Sequence, residues 1–380
     1  IGSSVIILND DLQLLSLPSH RYLNAVNPFL TTTDPLVDSV SEHATTTLSQ
    51  SFLFHSVLML FAGIGIWLIL RNSNLIKNDM ISFSLIIGLL GVYVSSAFVR
   101  LEVFASIAII IFSSLGLSIL IKEFFSMKIE TGKFKNSFLK IPFVIGLIIL
   151  LTVPLIFPIS ANVFTITDNP PTIMNGGTTY SISTSDWRDT LEWIKNNTPE
   201  DAVIGAWWDY GYWIQTKAER ASLADNSTLI DHIIKRIATV FLSTPDNGWE
   251  ILRDMESDYF MIFVAGQRLT VDNEGQALYL LHGGGDESKK YWFMKIAGEP
   301  IPKYLHSDGV SGTDYFWNET LLGKMIPFTP MAYVNLQTNQ QSSVYQPGFS
   351  PIYVKDVKFP IDGDDPLRLV YSSPSFDVEK

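Results

Sequence analysis

Four long apolar runs follow one another between residues 51 and 159 of this 380-residue chain. Each is close to the ~20 residues that an α-helix needs to cross the hydrocarbon core of a bilayer. None contains Asp, Glu, Lys or Arg, and His55 is the one histidine in them. The alternative is a set of buried helices in a large soluble core, but so dense a series of apolar runs disfavours it. The sequence therefore predicts four transmembrane helices, at residues 51–70, 80–98, 103–121 and 141–159.

Positive charges predict the orientation of these helices. The loops at residues 71–79 and 122–140 together carry seven Lys and Arg residues, whereas residues 1–50 carry only Arg21. Loops rich in Lys and Arg remain in the cytoplasm, so we expect these two loops inside. Residues 1–50 and 161–380 are then expected outside, as four spans with both ends on one face require.

The outer half is acidic. Residues 161–380 contain 29 acidic and 17 basic residues, which accounts for the whole formal net charge of −12. General nucleic-acid binding is excluded, because it requires a basic face. The absence of Cys excludes a disulfide scaffold, a thiolate zinc site and a Cys nucleophile.

The start of the chain lacks a signal-peptide pattern. It begins with Ile1, and no basic segment precedes an apolar stretch. An outer N-terminus without such a signal indicates that something upstream is missing. We therefore expect this chain to be the C-terminal part of a longer polytopic protein.

Four regions follow from the pattern: an external loop at 1–50, four transmembrane helices at 51–160, a soluble α/β domain at 161–330 and a β-rich part at 331–380. In the third region, helical and strand periodicities alternate. Helices are predicted at 186–195 with Ser185 as N-cap, from about Asp209, at 230–242 and at 248–255. Strands are predicted at 202–206, 221–224 and 259–264, and in the β-rich part at 331–336, 352–359 and 367–371.

The segment Trp207-Trp208-Asp209-Tyr210-Gly211 is the strongest candidate for a binding site. Neighbouring residues of a strand point to opposite faces, so we expect one of the two Trp side chains to face a cleft. Indole rings can pack a methyl group, and an indole N–H or a carboxylate can bind a hydroxyl. The alternative is a core cluster in which Asp209 is the N-cap of a helix.

This pentapeptide resembles the signature of the catalytic subunit of oligosaccharyltransferase. Ser39–His43 is similar to the outer-loop motif that carries the catalytic Glu of that family, and Phe98–Leu101 to the segment with its active-site Arg. The stretch His20–His43 resembles the archaeal branch. Asp286–Lys289 resembles the start of a second soluble motif, which places Met or Ile four residues after the Lys; this chain has Phe293 there and Met294 next.

The resemblance implies transfer of an oligosaccharide from a dolichyl-phosphate or dolichyl-diphosphate carrier to Asn in Asn-X-Ser/Thr sequons. The sequon hydroxyl would be bound in a pocket of the outer domain. The residues that the resemblance assigns to this pocket are Trp207, Trp208, Asp209, Asp286 and Lys289, with Tyr210, Phe293 and Met294 in support.

Two catalytic residues are also implied by the resemblance. Glu42 would accept an N–H bond from the acceptor amide, whose nitrogen is a poor nucleophile because its lone pair is delocalised. Arg100 would face the phosphate leaving group with charge-assisted hydrogen bonds. On composition alone, Glu42 is typical of a solvated charge on a loop. Arg100 is equally consistent with a side chain at the membrane surface, paired with Glu102.

The family uses a divalent cation, Mg or Mn, held mostly by acidic residues in earlier outer loops. We find no pair of acidic residues of that kind, so the ligands are expected upstream of residue 1, with His43 in a supporting role beside them. The chain alone should then neither bind donor nor transfer sugar. The implied fold is a membrane α-helical bundle of the C-type glycosyltransferases under a soluble α/β domain. The implied partners are a lipid-linked oligosaccharide and acceptor polypeptides, for an enzyme that works in the membrane as a single subunit.

Two other classes of protein compete with this interpretation. A membrane-anchored protein that binds carbohydrate or peptide without catalysis would need neither Glu42 nor Arg100. A transporter with an outer cap is disfavoured, because the predicted spans lack the internal charges and the Gly/Pro breaks that mark substrate paths. Three sequons, at Asn196, Asn226 and Asn318, lie on the predicted outer side and suggest self-glycosylation.

Overall fold

The chain consists of two units, which are described separately. The computed structural model describes residues 35–40, 46–71, 77–126, 136–157, 185–228, 230–271, 275–281, 285–335, 337–361 and 366–373. Described residues up to 157 belong to a helical unit, and those from 185 onwards belong to a mixed α/β unit.

The helical unit contains two short and four longer α-helices in its described part. A 3₁₀ turn, Val99–Leu101, leads directly into the longest of them. The helices are α1 Pro35–Asp38, α2 Leu48–His55, α3 Leu58–Arg71, α4 Asp79–Ser95, α5 Glu102–Ser126 and α6 Asn136–Ile156.

Small residues allow α3 and α4 to approach α5 closely. A Cβ added at Gly65 would lie 2.1 Å from the carbonyl oxygen of Phe112, and one at Gly116 would lie 2.3 Å from that of Phe61. Such glycines are typical of helix interfaces in membranes, where close backbone packing supplies the attraction. Phe112 fills the space between these helices together with Ala62 and Ala108.

All four predicted apolar runs contain helix. Of the described helices, α5 is the one long and apolar enough to cross a bilayer; α3, α4 and residues 140–153 of α6 are apolar but shorter. The run at 51–70 is divided into α2 and α3 by a turn at Ser56, which has a φ of 51°. Hydrophobicity does not reveal this turn, because apolar residues lie on both sides of it.

The mixed unit has seven further helices in its described part: α7 Asp186–Asn197, α8 Asp231–Leu242, α9 Pro245–Asp254, α10 Lys290–Ala297, α11 Ile301–Tyr304, α12 Asp314–Glu319 and α13 Leu321–Met325. Its strands are β1 Val203–Gly205, β2 Ala221–Ser222, β3 Tyr259–Phe260, β4 Gly266–Val271, β5 Ala277–Leu281, β6 Phe328–Val334, β7 Gln341–Ser342 and β8 Ser350–Lys355. Between β1 and β2 the chain forms three successive helical turns, Trp208–Tyr210, Gly211–Trp213 and Ile214–Ala218.

The α/β pattern predicted for this unit is confirmed, with shorter strands. Strands β2, β1 and β3 form a parallel sheet in that order. Helix α7 buries Trp187, Leu191 and Ile194 on one face, which is the spacing of an amphipathic helix. Ser185 precedes this helix, but its hydroxyl bonds to the Asp189 carboxylate and does not cap the backbone.

A second, antiparallel sheet has the strand order β4-β5-β8-β6-β7. The β4–β5 hairpin was not predicted, and β8 pairs with both β5 and β6. Strand β6 crosses the boundary predicted at residue 330. Residues 367–371 are described but form no strand, so that prediction is wrong: their alternation fits a segment that packs along the surface, as Tyr371 does by stacking on Trp193.

Candidate functional site

Both Trp residues of the pentapeptide lie in the core. Trp207 is 2% exposed and Trp208 is 6% exposed. The prediction that one of them faces a cleft because of strand alternation is wrong. Strand β1 ends at Gly205 and Trp208 already begins a 3₁₀ turn, so the two side chains are not on opposite faces of a strand.

Asp209 presents its carboxylate to a lysine from a distant segment. Lys289 Nζ donates to Asp209 Oδ2 at 2.6 Å, and the side chains are 20% and 32% exposed, respectively. Asp209 lies within the 3₁₀ turn and caps no helix, so the N-cap alternative is wrong. The ion pair joins the pentapeptide to the second motif, as expected if both line one site.

Asp286 lies beneath this ion pair and is fully buried. Its Oδ1 accepts from the Tyr210 hydroxyl at 2.8 Å and from Lys289 Nζ at 3.4 Å, and its Oδ2 accepts from the Phe263 N–H at 2.8 Å. Burial raises the pKa of Asp286, against the opposing effects of Lys289, the Phe263 N–H and the Tyr210 hydroxyl. Asp286 thus orients the Tyr210 hydroxyl and the Lys289 ammonium group, and the ammonium group in turn contacts Asp209.

Tyr210 completes this network from inside the domain. Burial raises the pKa of its hydroxyl well above the ordinary value, and the charges of Asp286 and Asp209 raise it further. The hydroxyl therefore stays protonated and donates to Asp286. Lys289 Nζ lies 3.0 Å from the same hydroxyl and 4.8 Å from the ring centroid, so Tyr210 packs against the ammonium group on its inner side.

The 3₁₀ turn Asp286–Lys289 runs straight into α10, which carries both candidates for the last motif position. Phe293 and Met294 are both fully buried. The Phe293 ring packs edge-on against Trp207 at 4.6 Å between centroids and stacks on Phe241 at 4.7 Å. Phe293 is therefore brought to the Trp pair, at the position where the resemblance expects Met or Ile.

Trp208 contributes a buried hydrogen-bond donor. Its Nε1 has no partner in the described part of the chain, and the same holds for Trp187 Nε1. A buried N–H without a partner costs about 1–3 kcal/mol, so such groups are rare in folded proteins.

The predicted catalytic residues lie in the other unit. Glu42 and His43 fall outside the described residues, and Arg100 lies in the turn Val99–Leu101 with its side chain outside the described part. Glu102 begins α5, and its Oε1 lies 3.0 Å from His55 Nε2 in a buried pair. The described residues contain no group of three or more His, Asp or Glu side chains that could hold a metal ion.

Comparison with known proteins supports the resemblance. No family model matches the chain. It is 24% identical over 328 residues to dolichyl-diphosphooligosaccharide–protein glycosyltransferase subunit stt-3 of Caenorhabditis elegans, covering 76% of this chain and 41% of that protein. It is 25% identical over 321 residues to subunit STT3B of Oryza sativa, covering 77% of this chain and 42% of that protein. Its homologues are STT3 subunits of oligosaccharyltransferase.

A solved structure shows the same fold. The archaeal oligosaccharyltransferase AglB from Archaeoglobus fulgidus, in complex with an inhibitory peptide and a dolichol-phosphate, matches with a TM-score of 0.50 at 14% identity. The match covers 86% of this chain and 36% of AglB. The chain therefore has an AglB-like fold with a C-terminal globular domain, and it spans about two fifths of the length of the curated relatives it matches.

Sequence reasoning missed two features of these sites. It noted Asn226 only as part of a sequon, whereas its side chain bonds to the backbone of the pentapeptide turn. It also missed the His55–Glu102 pair. The sequence contained a signal for this pair, because His55 is a polar residue within the first predicted span and Glu102 directly precedes the third.

Proposed function

We propose that this chain belongs to an enzyme that transfers an oligosaccharide from a dolichyl-phosphate or dolichyl-diphosphate carrier to Asn in Asn-X-Ser/Thr sequons. The observation that carries the proposal is the contact between Lys289 and Asp209. It joins two motifs 80 residues apart and leaves part of the Asp209 side chain exposed. The homology to STT3 subunits supports the same activity.

In this proposal the mixed unit recognises the acceptor. The hydroxyl of the sequon Ser or Thr donates a hydrogen bond to the partly exposed Asp209 carboxylate, while the buried Trp207 and Trp208 rings support the turn that carries it. Lys289 fixes the position of the Asp209 carboxylate through a charge-assisted hydrogen bond. A sequon with Ala in place of Thr cannot donate this hydrogen bond to the Asp209 carboxylate, and this loss makes such a site selective.

Glu42 and Arg100 are proposed to serve the transfer step. The Glu42 carboxylate accepts a hydrogen bond from the acceptor amide N–H and thereby polarises a nitrogen that is otherwise a poor nucleophile. Arg100 binds the phosphate of the lipid carrier and stabilises the negative charge that develops as the carrier leaves. Both assignments rest on the motifs Ser39–His43 and Phe98–Leu101.

A divalent cation, Mg or Mn, is part of the proposal through the resemblance alone. Carboxylate and water ligands suit both ions. The described residues offer no cluster that fits such an ion, so no step of the mechanism is assigned to it. His43 is proposed to support the cation from its place next to Glu42.

The four apolar runs are proposed to span the membrane, with the mixed unit on the outer face. The lack of Asp, Glu, Lys and Arg within the runs and the Lys-rich loop at 122–140 support this arrangement. The partners are a lipid-linked oligosaccharide and acceptor polypeptides, and the enzyme is proposed to act as a single subunit.

The second candidate function is binding of a peptide or carbohydrate without catalysis. The aromatic and charged groups around Asp209 are compatible with it, because they would bind a ligand equally well in a protein that has no catalytic residue. The two functions differ in their need for Glu42.

A transfer assay separates them. Membranes from cells that express the complete reading frame are supplied with a lipid extract, Mg or Mn and a fluorescent Asn-X-Thr peptide, beside a Gln-X-Thr peptide. A mobility shift only for the Asn peptide, lost in Asp209→Ala and Glu42→Gln, is expected. Retention of peptide that depends on Asp209, without any shift, would indicate the binding function.

A further inference from the structure

The turn that carries Asp209 is held by a neighbouring loop. Residues 224–228 pass directly over Gly211, and a Cβ at that glycine would lie 2.2 Å from the Ala224 carbonyl oxygen and 2.4 Å from Asp225 Cα. No side chain larger than hydrogen fits between loop and turn. The loop is therefore in van der Waals contact with the pentapeptide at its last residue.

The Asn226 amide bridges the two ends of this turn. Its Nδ2 donates to the backbone carbonyl of Asp209 at 3.1 Å, and its Oδ1 accepts from the Tyr212 N–H at 3.4 Å. The residues it binds flank the Tyr210-Gly211 step. A single side chain thus links Asp209 to the start of the following helical turn.

The loop itself is fixed by hydrogen bonds around Asp225. Oδ1 of Asp225 accepts from the Ser227 N–H at 2.9 Å, and Oδ2 accepts from Gln215 Nε2 at 3.1 Å. Gln215 Nε2 also lies 2.9 Å from the Ser222 hydroxyl. Asn226 is therefore presented from a braced loop, which allows it to impose a position on the turn.

Asp209 is then held from two directions, its carboxylate by Lys289 and its backbone by Asn226. We propose that Asn226 is a positioning residue that places the Asp209 carboxylate for the sequon hydroxyl. This inference rests on the proposed acceptor-binding function. It goes beyond that function because it assigns a role in acceptor affinity to a residue outside both motifs, with no contact to the acceptor required.

The transfer assay on expressed membranes tests this proposal with KM and kcat for an Asn-X-Thr peptide. Asn226→Ala is expected to raise the acceptor KM about tenfold, as loss of one positioning hydrogen bond implies, with kcat within about twofold. Asn318→Ala is the matched control, because it removes an exposed sequon Asn of the same unit; its KM should equal that of the wild type.

Asn226→Asp adds a readout that general destabilisation would not give. Its carboxylate can accept from the Tyr212 N–H, but when charged it repels the Asp209 carbonyl oxygen; when protonated it donates to that oxygen. The ratio of its KM to that of the wild type should therefore fall from pH 8 to pH 5, whereas the same ratio for Asn226→Ala should stay constant.

Three results of the assay would count against the proposal. An unchanged KM in Asn226→Ala, with wild-type transfer intact, would overturn the positioning role and leave the proposed function standing. Identical pH profiles for Asn226→Asp and Asn226→Ala would likewise overturn the positioning role alone. A wild-type protein that transfers nothing to the Asn peptide would overturn both the positioning role and the proposed function.

Discussion

Lys289 Nζ lies 2.6 Å from Asp209 Oδ2, and this contact links two sequence motifs into one site. The remaining contacts of the ammonium group are the Tyr210 hydroxyl and Asp286 Oδ1. A lysine bonded in this way is constrained on its inner side, while 32% of the Asp209 side chain remains exposed. The arrangement is suited to present one carboxylate to a ligand in a defined orientation.

Replacing Lys289 should weaken acceptor binding more than it affects turnover. In Lys289→Met we expect the KM for an Asn-X-Thr peptide to rise about five- to tenfold, because a partly exposed charge-assisted bond is lost. The KM of Lys289→Arg should rise less, since arginine keeps the positive charge. Lys217→Met, an exposed lysine of the same unit, is the control. Equal KM values for Lys289→Met and the control would argue against the role of this ion pair.

Asp286 should make the free energy of unfolding depend on pH. Because burial raises the pKa of Asp286, the folded state holds its proton more tightly than the unfolded state. Its contribution to stability is therefore complete below the ordinary Asp pKa of about 3.9 and is lost as the pH rises through the raised value. In Asp286→Asn this loss should be absent, as measured by urea unfolding followed by Trp fluorescence. If the free energy of unfolding depended on pH in the same way in the variant and in the wild type, the prediction would be wrong.

The three sequons should not be modified in the folded protein. The Thr198 hydroxyl donates to the Ile194 carbonyl at 2.7 Å, and the Thr320 hydroxyl donates to that of Phe316 at 2.6 Å. Both Thr residues and Thr228 are buried, so an enzyme that must bind the hydroxyl cannot reach them. Glycopeptide mapping after incubation with active membranes should find modification only in unfolded protein. Modification of natively folded protein at any of these sites would refute this.

The His55–Glu102 pair should stabilise the helical unit only when both partners are present. Glu102 Oε2 is already buried without a partner in the described part of the chain. His55→Ala would leave the whole carboxylate unpaired and should cost about 3 kcal/mol. Glu102→Gln should cost less, because it removes the charge. A double-mutant cycle by thermal unfolding in detergent should show coupling above about 0.5 kcal/mol; additive effects would count against the pair.

The sequence predicted the type of most elements because their periodicity is local. The helical periodicity of residues 186–195 was enough to predict α7, and the four apolar runs were enough to predict helices. It could not predict strand pairing between β5 and β8, which depends on contacts between segments more than 70 residues apart. The turn at Ser56 was missed because hydrophobicity continues through it.

The candidate site was predictable in its motif residues but not in its supporting contacts. Trp207, Trp208, Asp209 and Lys289 stand in recognisable motifs. Asn226 carries no motif signal beyond its sequon, and its role depends on a loop that folds back onto Gly211. Burial of both Trp rings was likewise hidden, because strand periodicity was applied to residues that lie beyond the strand.

Discrimination between Asn-X-Thr and Asn-X-Val peptides tests the central claim most directly. Val matches Thr in shape but lacks the hydroxyl that Asp209 is proposed to bind. With both peptides in one transfer assay on expressed membranes, kcat/KM should favour the Thr peptide by at least about a hundredfold. Most of this preference should disappear in Asp209→Ala. Equal transfer to both peptides by the wild type would contradict the account, because it would show that no hydroxyl is read at this site.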